Sequence, residues 1–374
     1  MKRKETLLSI IGLSLFLSLA CPATTVERTA TIESRPDADS VDQDRSLTVH
    51  FIDVGGGDTI LIDTPSNMKI MIDGGWHYND RYTAPAEYDA YLDEFLGDDD
   101  VDLLIISHAD YDHVAGLQRL VEADRVRQIW YTGYHHDDLS QTWDDLLEKI
   151  QETDELLFVS PITDYFGLGS TIRFDDSGTY KKSDDVVLTL INAKRSLGST
   201  AYGSTRTLNE GKRRNSSSLV VRLDYGNTSF LFTGDTNGRN RDSDDQSECD
   251  DQELFMARNN DNSENPLCGK LDCTVLKVAH HGSNGSSSLR FLRAVKPEWA
   301  VISAGVQNEH PHDSVLERLK YPDVGLDDEH ILRTDDGDPS GHSGTEANLG
   351  DECYQFLVDP TGIVKIEKWN VTVD

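Results

Sequence analysis

The chain has 374 residues, 37% of them hydrophobic, which is enough for a real core and excludes a disordered polymer. Its 67 acidic residues against 35 basic ones give a formal net charge of −32, with the acids in runs such as "GDDDVD", "DSDDQSECDD" and "DDGD". Such runs read as a solvated surface kept soluble by charge, and they argue against a broad nucleic-acid-binding face, which needs clustered Lys and Arg.

At the N-terminus, basic "MKRK" precedes an apolar stretch from Leu7 to Ala20 that closes on "LSLAC". The stretch is short for a membrane span. Residues 1–21 resemble a bacterial lipoprotein signal, with Cys21 as the lipidated first residue of the mature chain; a short anchor or an ordinary secretory signal is the alternative. All three place the rest of the chain outside the cytoplasm, membrane-anchored or secreted. Residues 22–44, rich in Thr, Ser, Asp and Pro, are expected to form a flexible tether, and residues 45–374 a single domain.

The domain opens with strand signals: "LTVHFIDV", "DTILIDT" and "KIMIDGG", separated by Gly- or Pro-containing turns, read as a meander. A helix from Ala86 to Phe95 leads into strand "VDLLIISH", and helix "DHVAGLQRLVEA" leads into strand "VRQIWYTG". Strands "SLVVRLDYG" and "TSFLFTGD" form a hairpin around "YGNT", followed by a polar insertion at about 237–270. Then come strand "TVLKVAHHG", helix "SSLRFLRAV", strand "WAVISAG", helix "DSVLERL" and a last pair in "CYQFLVDPTGIVKIEKW". Meanders interrupted by helix–strand units predict an α/β fold of two packed sheets with helices outside. There is no repeat of constant period.

Four cysteines lie beyond Cys21: Cys249, Cys268, Cys273 and Cys353. An even count in an oxidising compartment predicts a stapled insertion, with two of Cys249, Cys268 and Cys273 joined and the third reaching Cys353. A zinc knot would need a Cys-x-x-Cys pair, which is absent.

The densest chemistry lies in "ISHADYDHVAGL", residues 105–116. His108 comes directly after an apolar strand, and Asp112 and His113 open the next helix, with Asp110 between. Imidazoles and carboxylates converging at a strand end are natural ligands for a divalent ion, and four in six positions exceed what helix capping explains. Other strand ends deliver Asp235, His280 and His281, and His310 and His312, while Asn215 stands just before a strand. One buried cluster is the economical reading.

These stretches together resemble the metallo-β-lactamase-fold hydrolases, and among them the metallo-hydrolase domain of the ComEC-type competence proteins. The resemblance runs through "LTVHFIDVGGGDTILIDTPSNMKIMIDGG", "SHADYDHVAGL", "NSSSLVVRLDYGNTSFLFTGD", "VLKVAHHGSNGSSS" and "VISAGVQNEHPHDSVLERL", most of residues 46–320. It implies an αββα sandwich of two mixed sheets with one or two metals at the sheet edge. It further implies that His108 and Asp110 bind one ion, that Asp112 and His113 bind the other, and that Asp235 bridges them. His310 would be the final ligand, with His312 as alternative. His280 and His281 match a position that approaches substrate, for phosphate binding or proton transfer, with ligation as the rival. The usual middle histidine is missing, and Asn215 stands there instead. His135 and His136 are expected at the surface or substrate rim. An oxygen-rich ligand set puts Mn²⁺ beside Zn²⁺.

The reaction expected is hydrolysis of DNA or another phosphodiester, with Asp112 and His280 or His281 in the chemistry. Six basic residues and one acid, Glu210, lie between Lys194 and Arg214, so Lys212, Arg213, Arg214 and Asn215 are candidate substrate contacts. Hydrolysis of a lactone, β-lactam or phosphocholine ester, or a non-enzymatic metal-binding surface protein, are the alternatives. No protein partner can be inferred from the sequence.

Overall fold

The computed structural model describes residues 29–32, 46–75, 85–134, 141–152, 158–161, 171–174, 185–192, 202, 207–260, 270–305, 310–336 and 353–369. Its strands and helices run in chain order as β1 (Thr29–Ile32), β2 (Leu47–Phe51), β3 (Ile60–Asp63), β4 (Lys69–Ile72), α1 (Pro85–Leu96), β5 (Leu103–Ile106), α2 (Tyr111–Val114), α3 (Gln118–Glu122) and β6 (Gln128–Tyr131). Next come α4 (Gln141–Glu152), β7 (Phe158–Pro161), β8 (Thr171–Phe174), β9 (Val186–Asn192), α5 (Glu210–Asn215), β10 (Val220–Tyr225), β11 (Thr228–Phe232) and α6 (Asp251–Asn260). The chain closes with β12 (Val275–Lys277), α7 (Leu289–Val295), β13 (Trp299–Ile302), α8 (Asp313–Leu319), β14 (Ile331–Arg333), β15 (Cys353–Asp359) and β16 (Gly362–Trp369).

Two mixed sheets result, ordered β16-β15-β2-β3-β4-β5-β6-β7 and β1-β8-β9-β10-β11-β12-β13-β14. Strand periodicity explains their packing. Leu103 and Ile105 of β5 face the core between the sheets, with Ile60, Ile62, Ile70 and Ile72, against Leu188, Val221 and Phe230 of the other sheet. Leu104 and Ile106 face the opposite way, under Leu92 of α1 and Trp143 of α4. The second sheet likewise turns Leu231 and Leu276 outward under Phe291 of α7 and Val315 of α8. Both faces are covered, which is why the central strands read as unbroken apolar runs. The expected helix–sheet–sheet–helix layering is present.

Several expectations meet a different local structure. The helix expected in "DHVAGLQRLVEA" is broken into α2, a 3₁₀ turn at Ala115–Leu117 and α3. The break is where Gly116 passes against the chain after β4: a Cβ there would lie 2.0 Å from the Gly74 carbonyl oxygen. Within the stretch expected to be a tether, β1 pairs in parallel with β8. Among the described residues no disulfide joins Cys249, Cys273 or Cys353, and Cys268 lies outside them. Order in the insertion comes from buried guanidinium groups instead. Arg239 donates to Asn284 Oδ1 (2.6 Å) and to the carbonyls of Ser243 (3.0 Å) and Asp245 (2.7 Å), while Arg318 donates to the Ser286 and Ser287 carbonyls and to Gln246 Oε1. Five fixed donors on one planar group can organise a polar loop that has little to bury. The leader-like segment, residues 1–21, lies outside the described residues, and among those no helix is long and apolar enough to cross a membrane.

Candidate metal centre

The chain places polar side chains wherever strands stop at one edge of the sandwich. Asp58 precedes β3, Asp73 comes after β4, and Ser107 and His108 come after β5. Asp235 lies just beyond β11, and His280 and His281 sit in the 3₁₀ turn after β12. The Leu219 amide donates to the Ser107 carbonyl at 2.9 Å, tying the two halves of the molecule together at this edge.

Around Asp235 Oδ1 lie His113 Nε2 at 3.4 Å and His281 Nε2 at 3.5 Å, and Asp112 Oδ2 is 3.5 Å from His281 Nε2. Donors sharing one tetrahedral ion with bonds of about 2.0–2.2 Å stand about 3.3–3.6 Å apart. The other oxygen, Asp235 Oδ2, faces His280 Nε2 at 3.5 Å and His108 Nε2 at 3.9 Å, and His108 Nε2 is 3.7 Å from Asp110 Oδ2.

Hydrogen bonding decides what these groups fit. The Nε2 atoms of His108, His113 and His281, with Asp235 Oδ1, are buried and have no hydrogen-bond partner. Their opposite nitrogens are all anchored. His113 Nδ1 donates to Asp73 Oδ2 at 2.8 Å, and His281 Nδ1 donates to the Ser303 carbonyl at 2.9 Å. The Ser107 hydroxyl donates to Asp73 Oδ2 and so accepts from His108 Nδ1 at 2.9 Å. Nδ1–H held from behind with the Nε2 lone pair aimed inward is the arrangement of a metal-ligating histidine, and orphaned buried polar atoms are costly unless something fills the centre. The residues fit a divalent cation.

A supporting layer surrounds these donors. Lys277, 1% exposed, forms a buried ion pair with Asp58 and donates to the Gly234 carbonyl next to Asp235. Asp58 Oδ1 is 3.6 Å from His281 Nδ1. Gly57, at φ +142°, lets the loop before Asp58 pass over α2, since a Cβ would lie 2.3 Å from the Asp112 carbonyl oxygen. The motifs that point to the other donors leave out Asp58, Asp73 and Lys277, although both acids carry the same signal, an Asp beside Gly at the end of a strand.

The electrostatics come from crowding. Burial pulls the His113 imidazole down, but the charges of Asp235, Asp73 and Asp112 outweigh it and raise its pKa well above the usual value. Burial pushes Asp235 up, and the imidazoles of His280, His281 and His113 more than reverse this. His310 moves the other way: burial first, then the neighbouring His281 and His280, lower it to about 3.

The donors group differently from one expectation. His281 stands in one group of donors with Asp112 and His113, its Nε2 also 3.5 Å from Asp235 Oδ1, whereas the ring centroid of His310 is 6.4 Å from that of His281 and 5.7 Å from that of His280. After β12 the backbone of His280 and His281 turns through left-handed geometry, φ 50° and 51°, and this bend carries both imidazoles to Asp235. Counting strand ends alone does not reveal such a turn. His312 caps α8, accepting from the Ser314 amide at 3.2 Å. Of the basic run, Arg214 binds Asp110 through Nε and Arg213 binds Glu210, so both guanidinium groups already hold carboxylates of this chain. Lys212 lies on the same short helix, α5, as buried Asn215. His135 and His136 lie outside the described residues.

The chain has relatives among known proteins. The model of the metallo-beta-lactamase superfamily matches residues 49–306, more than half of the chain. ComE operon protein 3 of Bacillus subtilis is 25% identical over 302 residues, 77% of this chain and 32% of that protein. Competence protein ComA of Neisseria gonorrhoeae is 34% identical over 123 residues, 32% of this chain and 14% of that protein. The chain thus spans about a third or less of the length of these relatives. Among solved structures, the metallo-beta-lactamase fold protein YhfI from Bacillus subtilis covers 73% of this chain and 92% of its own, with 13% identity and a TM-score of 0.37.

Proposed function

The chain belongs to the metallo-beta-lactamase superfamily, and from that premise we propose that it is a metal-dependent hydrolase of phosphodiesters. One observation carries the proposal: three buried imidazole nitrogens, each anchored from behind and lacking a partner in front, converge with Asp235 at the edge of the sandwich. Asp112, His113, Asp235 and His281 would hold the ion. A divalent ion there supplies positive charge for a phosphoryl oxygen and makes water a stronger nucleophile at neutral pH.

The remaining work falls to side chains of this chain. Asp73, Ser107 and Ser303 fix ring orientation. Lys277 offsets the charge of Asp58 beneath the centre. His310 stands beside the cluster, its ring centroid 5.7 Å from that of His280 and 6.4 Å from that of His281, as a side chain for the substrate to meet. Lys212, on the same short helix as Asn215, favours an anionic substrate. Phosphodiesters suit a lysine beside a donor set that includes carboxylates, and DNA is the first polymer to test.

The test is turnover of bis(p-nitrophenyl) phosphate and DNA, with a β-lactam and a lactone beside them, in Mn²⁺ or Zn²⁺. Phosphodiester turnover that a chelator and Asp112→Ala both abolish is the expected result. Turnover of the β-lactam or lactone alone overturns the substrate, and no turnover of any substrate by the metal-loaded protein overturns the enzyme. The same proposal places the domain outside the cytoplasm on a lipid at Cys21, which the mass of the mature N-terminal peptide would test.

A further inference from the structure

We propose that Arg241 binds an anionic oxygen of the substrate beside the metal centre, and that the loop after β11 holds it in place for that contact. The inference rests on the hydrolase reading above and names the residue that recognises the substrate's charge.

The turn after β12 carries His280 and His281 and runs on through Gly282, Ser283, Asn284 and Gly285. Two other segments hang on it. The amide of His312 donates to the Gly282 carbonyl at 2.9 Å, which holds the chain at His310 beside the two imidazoles. The amides of Gly238 and Arg239 donate to the Gly285 carbonyl at 3.0 and 2.9 Å, and Asn284 Nδ2 donates to the Arg241 carbonyl at 2.9 Å. Buried Arg239 then closes the loop on itself, because its guanidinium holds Asn284 Oδ1 at 2.6 Å together with the carbonyls of Ser243 and Asp245 at 3.0 and 2.7 Å. Arg241 therefore stands at the apex of a loop that is pinned at both ends and in the middle. A backbone ordered during folding need not be ordered again when substrate binds.

The side chain of Arg241 runs along the same turn. A Cβ on Gly285 would lie 3.2 Å from Arg241 Cγ, so the stem crosses Gly285 closely. Burial, then His281 and His280, lower the His310 imidazole, and the Arg241 charge adds to them, which sets the guanidinium on the His310 side of the turn. Other cations around the centre are already engaged. Arg213 and Arg214 hold Glu210 and Asp110, Lys277 holds Asp58, and Arg239 and Arg318 hold carbonyls of the loops. Arg241 is exposed, and among the described residues its guanidinium has no hydrogen-bond or ion-pair partner, even though Asp242 follows it in sequence. A planar fork of donors left open beside the centre matches two oxygens of a phosphoryl group.

The experiment measures kcat and KM of the metal-loaded protein for bis(p-nitrophenyl) phosphate and, separately from turnover, its binding of inorganic phosphate by isothermal titration. Arg241→Gln should raise both KM and the phosphate Kd about tenfold to a hundredfold, the loss expected for one charge-assisted contact, with kcat within about twofold of wild type. Arg241→Lys should regain part of the affinity, since it keeps the charge and loses the fork. Metal content and circular dichroism should match wild type in both variants, because the side chain is exposed and holds nothing in the fold. Unchanged KM and phosphate affinity in Arg241→Gln, or a fall in kcat alone, overturns the proposal, as does a wild type that binds no phosphate. If wild type binds phosphate but turns over no diester, the hydrolase reading fails by itself, and the phosphate affinities of the variants still decide the role of Arg241.

Discussion

Asp73 Oδ2 accepts both the Nδ1–H of His113, at 2.8 Å, and the hydroxyl of Ser107, at 2.6 Å, and Ser107 in turn accepts from His108. One carboxylate at the end of β4 therefore sets the tautomer of two inward-facing imidazoles that come from another strand and helix.

Replacing Asp73 by Ala should leave both rings free to turn and to carry the proton on Nε2. Loss of such an outer partner typically lowers metal affinity about tenfold to a hundredfold. Isothermal titration with Zn²⁺ measures it, and an affinity within a factor of two of wild type would show that Asp73 serves the fold alone.

His281 and His310 should separate cleanly in their variants. His281→Ala should lose the bound ion, because it removes a donor 3.5 Å from both Asp112 and Asp235. His310→Ala should keep that ion and lower turnover, since its ring stands beside the cluster and not among the donors. Metal content and turnover of the two purified variants are the readouts, and tight binding retained in His281→Ala would return His310 to the shell.

Lys277→Met should destabilise the protein by about 3–5 kcal/mol, since it leaves the Asp58 charge buried without its cation. Urea unfolding in the presence of a chelator isolates this from metal binding. Asp58→Asn in the same background should recover part of the loss; a cost below about 1 kcal/mol in Lys277→Met would mean that Asp58 is compensated elsewhere.

Stability should also fall with pH for a reason remote from the centre. His50, hydrogen-bonded to Tyr91, is lowered from 6.5 to about 4, by burial first and then by the Lys69 charge. Between those values the unfolded chain binds a proton that the folded chain refuses, so stability is full above pH 6.5 and declines as pH falls toward 4. His50→Gln should flatten that part of the profile of denaturation midpoint against pH, and an unchanged slope would assign it to other groups.

The layers and most of the chemistry were legible in the order of residues. The apolar runs of β3, β4 and β5 already demanded strands covered on both sides, and His108, Asp112, His113 and Asp235 already stood where strands end. Local pattern reaches that far because side-chain direction along a strand repeats every two residues. It did not reach β8, β9 or β14, nor the way the 237–250 loop is ordered, because the donors that organise that loop converge from Arg239 and Arg318, far apart in the chain. That His281 stands with Asp112 and His113, with the His310 ring further off, is visible only in three dimensions. The distinction turns on two successive left-handed residues after β12 and on the Ser303 carbonyl behind the ring. Likewise, Asp58, Asp73 and Lys277 acquire their roles only once four strand ends meet, since what a buried carboxylate does depends on which cation or imidazole the fold sets within about 3 Å of it.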